Sequence, residues 1–158
     1  MKKIEVKTPV DILEYSELNE ADALLVEEAR KATFRAYAPY SHFNVGAAIR
    51  LDNGVTVTGA NQENAAYPSG TCAERSACYY AHATYPDSAF EAIAVAARGA
   101  DGEFTTDLAA PCGACRQALL EYETLAGHDV PVFLAAADKV YVLPSVKAML
   151  PLAFCEIP

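Results

Sequence analysis

Apolar side chains recur at helical spacing from Ala21 through Leu25, Ala29, Ala32 and Ala36, with Asn19 placed to cap the start and Glu20 and Asp22 in the first turn. Pro39 ends that period before Tyr40. Val45 to Leu51 and Val55 to Asn61 are β-prone runs around Asp52-Asn53-Gly54, and an Asn-Gly pair suits the positive φ angles of a tight hairpin. Pro68, Ser69 and Gly70 break the second run. The alanine-rich stretch from Thr71 to about His82 predicts a helix with Thr71 as its N-cap. Ala92 to Ala97 is apolar without alternation, as in a strand covered on both faces. After a loop at Gly99 to Gly102, Pro111-Cys112 opens a helix to about Glu123. Val132 to Ala137 and Val140 to Leu143 read as strands, and Pro144 to Leu150 as a final helical turn or two.

That order, one helix followed by β-β-α-β-α-β-β, predicts an α/β fold with a mixed sheet of about five strands covered by helices. Residues 1–18 lack periodicity and contain Pro9, so they read as an N-terminal arm before a single domain over residues 19–158. A chain of 158 residues, 53% hydrophobic, can bury one substantial core, and no run approaches the roughly 18 apolar residues of a membrane span. The net charge of −9, without a Lys/Arg cluster, argues against a nucleic acid partner and for a small neutral ligand. Near Met1, the charges of Lys2, Lys3, Glu5 and Lys7 interrupt any secretory apolar segment, which predicts a reducing cytoplasm.

In such a compartment cysteines serve metals or chemistry before disulfides, and five of them is an odd number for a disulfide framework. Cys72 stands in Thr71-Cys72-Ala73-Glu74-Arg75, and Cys112 and Cys115 in Pro111-Cys112-Gly113-Ala114-Cys115. Three thiols in the first turns of two helices suit a zinc ion with one open position, because helix N-termini favour the thiolates that metals require. Iron is compatible with the same ligands. A redox dithiol made of Cys112 and Cys115 is the competing use, and it leaves Cys72 and Glu74 without a role. Cys78 reads as a small core residue, whereas Cys155 as a fourth ligand would make the site structural.

Three thiolates on a divalent ion leave a net negative charge, which Arg75, three residues beyond Cys72 on the same helix face, is placed to offset by donating to sulfur. Arg116 is a second candidate of undecided role. Glu74 has two readings. Thr71-Cys72-Ala73-Glu74 fits a capping box, in which the glutamate serves only the helix. With a three-thiol site beside it, the same carboxylate suits a proton shuttle over the open position.

The two cysteine segments, extended by Arg116-Gln117, resemble the zinc signature of the cytidine deaminase family in its small, homotetrameric, three-cysteine form. Tyr37 to Ala48 resembles the family's N-terminal motif, Asn61-Gln62-Glu63-Asn64-Ala65-Ala66-Tyr67 its nucleoside-binding stretch, and Leu150 to Phe154 its C-terminal stretch. The resemblance implies the three-layer fold of that family, one Zn2+ per subunit, and hydrolysis of cytidine and deoxycytidine to uridine and deoxyuridine plus ammonia. It implies Glu74 as the proton carrier, Asn61 and Glu63 on the ribose hydroxyls, and Phe43 and a neighbouring subunit's Phe154 packed on the base. Main chain near Ala73 and Cys112 orients the base on this reading, and Tyr67 reaches towards a neighbour's site. Gln62, where an apolar residue is expected, departs from the pattern, as does the Pro68-Ser69-Gly70 lead into the zinc helix. A deaminase of a related cytosine nucleoside such as blasticidin S, and a non-catalytic zinc-stabilised binding domain, are the alternatives.

Overall fold

The computed structural model describes residues 1–155. A six-stranded mixed sheet forms its middle layer, in the order β1-β6-β5-β4-β2-β3. The strands are β1 (Asp11–Glu14), β2 (Asn44–Leu51), β3 (Thr56–Ala60), β4 (Phe90–Arg98), β5 (Val132–Ala135) and β6 (Lys139–Leu143). Only β4 and β5 run parallel, and the other neighbours pair antiparallel. Helix α1 (Glu20–Ala32) covers one face; α2 (Ala73–Thr84) and α3 (Gly113–Ala126) cover the other.

Side-chain size along β4 explains how the layers meet. Ala92, Ala94 and Ala96 point towards Leu25, Val26 and Ala29 of α1, while Ile93 and Val95 point into the cluster under α2 and α3. The uninterrupted apolar run is therefore two alternating apolar faces, each with its own helix layer. Two glycines set the closest approaches. A Cβ on Gly46 would lie 2.2 Å from the Ala29 carbonyl oxygen, and one on Gly59 would lie 2.6 Å from both Ala73 O and Ala77 N. Gly59 thus lets the first turns of α2, which carry the cysteine and glutamate of interest, sit directly on β3.

The structure corrects several boundaries. The arm does not extend to residue 18: Asp11–Glu14 pairs with Lys139–Val142 as a sixth, edge strand, and Tyr15–Glu17 forms a 3-10 turn. Its pattern of mostly exposed side chains carries no period, and its partner lies more than a hundred residues away, so no local signal marks it. Helix α1 stops at Ala32 and a 3-10 turn covers Thr33–Arg35. Strand β5 ends at Ala135, and the last helical segment is one 3-10 turn, Lys147–Met149. Glu123 secures that turn: its buried carboxylate accepts from Val130 N at 2.9 Å, Val146 N at 2.6 Å and Lys147 N at 2.9 Å.

Candidate metal centre and nucleoside cleft

Cys72 and Cys112 are the N-caps of α2 and α3 rather than members of their first turns. Both have extended backbones, and each carbonyl already accepts the first helical hydrogen bond, from Ser76 N at 3.0 Å and Arg116 N at 2.9 Å. An N-cap side chain ordinarily accepts from the N–H two or three places on. Neither thiol does so, which leaves both sulfurs for another partner. Cys115, one turn into α3 and fully buried, completes a cluster whose three Sγ atoms lie within 4.8 Å of one another. Cys72 and Cys112 Sγ are 4.0 Å apart, and Cys112 and Cys115 Sγ 3.5 Å. Sulfurs around a tetrahedral zinc, at a Zn–S bond near 2.3 Å, are about 3.8 Å apart, so the donor set fits zinc in size and in chemistry. The cluster of Cys72, Cys112 and Cys115 fits one Zn2+ per chain, which these three residues would hold.

No fourth protein ligand joins the cluster among the described residues. Cys155 is exposed, with its Sγ directed at Ala153 O, and Cys78 is buried against Arg75 O, where burial pushes its thiol up to about 12. Arg75 Nη2 donates to Cys72 Sγ at 3.6 Å, and the thiols of Cys72 and Cys115 hold the guanidinium firmly charged. The Cys115 thiol, then Arg75 and Cys112, draw Cys72 down to about 5. Cys115 moves the other way, raised chiefly by Cys72 beside it and then by its burial. Arg116 turns elsewhere. Its Nε donates to Pro111 O and its Nη1 to Met149 O, both at 2.8 Å, tying the start of α3 to the C-terminal segment.

Thr71 is not the cap of α2, and its hydroxyl donates to Cys72 O instead. With the cap moved to Cys72, Glu74 becomes the second helical residue, and a capping box needs its acid at the third. Glu74 points inward on the face shared with Ala77, Cys78 and Ala81, and is only 5% exposed. Burial, followed by the charge of Cys72, raises its pKa above the ordinary carboxylate value.

Glu74 and Cys72 open into a cleft of about 610 Å³, a size that suits a nucleoside. Phe43, Asn61, Glu63, Tyr67 and Ala73 line it, and so do Arg75 and Cys112. Asn61 Oδ1 accepts from Val45 N at 2.8 Å and its Nδ2 donates to Phe43 O at 2.9 Å, leaving one lone pair and one N–H for a ligand. Glu63 accepts from Tyr40 N at 2.9 Å, from Ser41 N at 3.3 Å and from the Ser41 hydroxyl, which lowers its pKa. Ser41 Oγ in turn accepts from Phe43 N at 3.1 Å. Ser41, which no spacing singled out, thereby joins the Glu63 and Phe43 sides of the cleft. Residues Leu108 to Ala110 form a further wall, in a stretch without any period to announce it. Tyr67 stands at the lip, 77% exposed and edge-on to Tyr40 with ring centres 6.3 Å apart. Phe154 does not line the cleft of its own chain: it is 66% exposed, and its carbonyl accepts from Gln117 Nε2.

The comparisons agree with this chemistry. The family described as "Cytidine and deoxycytidylate deaminase zinc-binding region" matches residues 19–126. The chain is 38% identical to the cytidine deaminase of Sporosarcina psychrophila over 132 residues, spanning 84% of this chain and 90% of the relative. It is 39% identical to that of Halalkalibacterium halodurans, spanning 83% and 92%. Among solved structures, the cytidine deaminase of Burkholderia pseudomallei superposes with a TM-score of 0.69 at 36% identity, covering 87% of this chain and all of that one. The enzyme of Mycobacterium tuberculosis gives a TM-score of 0.66 at 32% identity, covering 86% and 98%. With the zinc signature matched on both helix starts and the likeness extending over most of each relative, the chain belongs to the cytidine deaminase family.

Proposed function

We propose that this chain hydrolyses cytidine and deoxycytidine to uridine and deoxyuridine with release of ammonia, serving pyrimidine salvage in the cytoplasm as a homotetramer. The observation that carries the reading is a buried carboxyl, Glu74, opening into a nucleoside-sized cleft beside three thiols that leave a metal position unfilled by protein. A zinc ion there, when bound, supplies the Lewis acidity that makes water a nucleophile near neutral pH.

The chain's own groups supply the rest. Glu74 accepts a proton from water and passes it to N3 of the cytosine ring as the oxygen adds at C4. It then carries the remaining hydroxyl proton to the exocyclic amine, which leaves as ammonia while the C4 carbonyl forms. Burial suits Glu74 to this work, since a carboxyl with a raised pKa gives its proton back more readily at neutral pH. Arg75 offsets the negative charge of three thiolates. Asn61 and Glu63 hold the ribose hydroxyls, the first as donor and acceptor, the second as acceptor, and Phe43 packs on the base. Main chain at Ala73 orients the ring. Phe154 enters a neighbour's cleft and Tyr67 meets the neighbour at the rim, a role that suits their exposure. The exposed Tyr79 and Tyr80 on α2 supply apolar surface for such an assembly.

Purified protein with its metal content measured, mixed with cytidine, deoxycytidine and blasticidin S in turn, tests the reading through ultraviolet loss and ammonia. Turnover of both nucleosides at one zinc per chain is expected. Turnover of blasticidin S alone, or of none, overturns it.

A further inference from the structure

The segment that walls the cleft opposite the nucleoside-binding strand end is poorly held by its own backbone. Thr105 is pinned on both sides, its N–H donating to Ala97 O at 3.0 Å and its carbonyl accepting from Ala137 N at 2.8 Å. At the other end, Pro111 O accepts from Arg116. Between them, residues 106–110 make no main-chain hydrogen bond to one another or to the rest of the described chain. Their inner side, through Leu108, Ala109 and Ala110, faces the substrate cleft. A stretch without backbone hydrogen bonds opens at low free-energy cost unless its surroundings restrain it.

What stands behind it is the N-terminal segment, which lies outside the residues matched by the family. Leu108 and Ala110 also border a second cavity, of about 310 Å³, whose facing side is made by Thr8 and Val10 and whose floor includes Arg116 and Met149. The N-terminal segment has its own anchors. Thr8 Oγ1 donates to Ala148 O at 2.8 Å, and Asp11–Glu14 pairs along β6. Tyr15 hydroxyl donates to Ala136 O at 2.6 Å, and Arg30 donates to that hydroxyl while lying over the Phe104 ring, 3.7 Å from its centre. The N-terminal segment therefore bounds the far side of the cavity behind Leu108 and Ala110, and Arg30, bonded to the Tyr15 hydroxyl, lies over Phe104 just before the wall.

We infer that Thr8, Val10 and the strand that follows are positioning residues for the substrate cleft: they back the Thr106–Ala110 wall and so set nucleoside affinity, without taking part in the chemistry. The inference rests on the deaminase reading for the identity of the ligand, though not for the mechanics of the wall. It distinguishes a backing role from a general contribution to stability, because a backed wall governs KM while Glu74 and the thiols, on other elements, govern kcat.

Two variants test it: the chain lacking residues 1–10, which keeps every β1 pairing, and the full-length Thr8→Val, Val10→Ser double variant, which removes the hydroxyl bond and the apolar face alone. Thr8→Ser, which keeps the donor, serves as the conservative rescue. Hydrogen exchange in peptides spanning 104–112 is expected to quicken about tenfold in both variants and to stay near the parent in Thr8→Ser. KM for cytidine is expected to rise about three- to tenfold, with kcat within about twofold and zinc still at one per chain. Unchanged exchange and unchanged KM overturn the inference, and so does a fall in kcat or zinc content at constant KM, which marks a merely structural arm. If the parent chain turns over no cytosine nucleoside, the deaminase reading fails, while exchange in 104–112 still decides whether the arm backs the wall.

Discussion

Two carboxylates share one cleft and are held in opposite ways. Glu74 sits on the inner face of α2, 5% exposed, where burial raises its pKa; Glu63 lies at the rim, where the Ser41 hydroxyl and the N–H groups of Tyr40 and Ser41 lower it. The same side chain is thereby fitted to two tasks. A desolvated carboxyl exchanges protons readily, and one already accepting several hydrogen bonds is a fixed acceptor. The metal end of the cleft is built on two helix starts, and the nucleoside end on a chain of hydrogen bonds from Glu63 through Ser41 to Phe43.

The contrast can be broken from either end. The largest effect is expected from Cys115→Ala, which removes the buried ligand: zinc is lost and ammonia release falls to background, read by metal analysis and a coupled assay. Glu74→Gln should lower kcat by about 10²- to 10⁴-fold while zinc remains. Arg75→Gln is expected to weaken zinc retention or turnover by about 10- to 100-fold, measured by chelator competition, since it strips the charge that balances three thiolates. Glu63→Gln should act through KM, raising it about tenfold with kcat little changed in steady-state kinetics. The smallest effect is a separation in pH. On acidification Glu74, its pKa above the ordinary 4.5, takes up a proton first, and Glu63, below it, last. The acid limb of kcat should therefore lie above pH 4.5 with KM still flat there, and the limb should vanish in Glu74→Gln.

Much of the site was legible because its signals are local. The hairpin at Asn53-Gly54, the two cysteine segments and the doubly covered strand around Ala92 to Ala97 each follow from neighbouring residues. What escaped depended on distant partners or on a single residue of register. Strand β1 owes its existence to β6, and its exposed side chains carry no period. Placing the cap on Thr71 instead of Cys72 gave Glu74 a capping box as its competing reading, and the shift of the cap by one residue removes it. Glu123 was missed although it left a trace. An acid near the C-terminal end of a helix is disfavoured by the dipole, and here three N–H groups from elsewhere in the chain compensate it. Ser41 lies inside the Tyr37 to Ala48 stretch but had no role assigned to it, and the Leu108–Ala110 wall left no trace, because each acts through contacts that only the folded chain creates.

The central claim is that a buried carboxyl beside an open zinc site moves the protons of nucleoside deamination. Zinc content and cytidine turnover measured on the same preparation of Glu74→Gln test it most directly. One zinc per chain, an unchanged melting profile and kcat reduced by at least about a hundredfold are expected. One zinc per chain with turnover close to the parent would contradict the account and remove Glu74 from the chemistry.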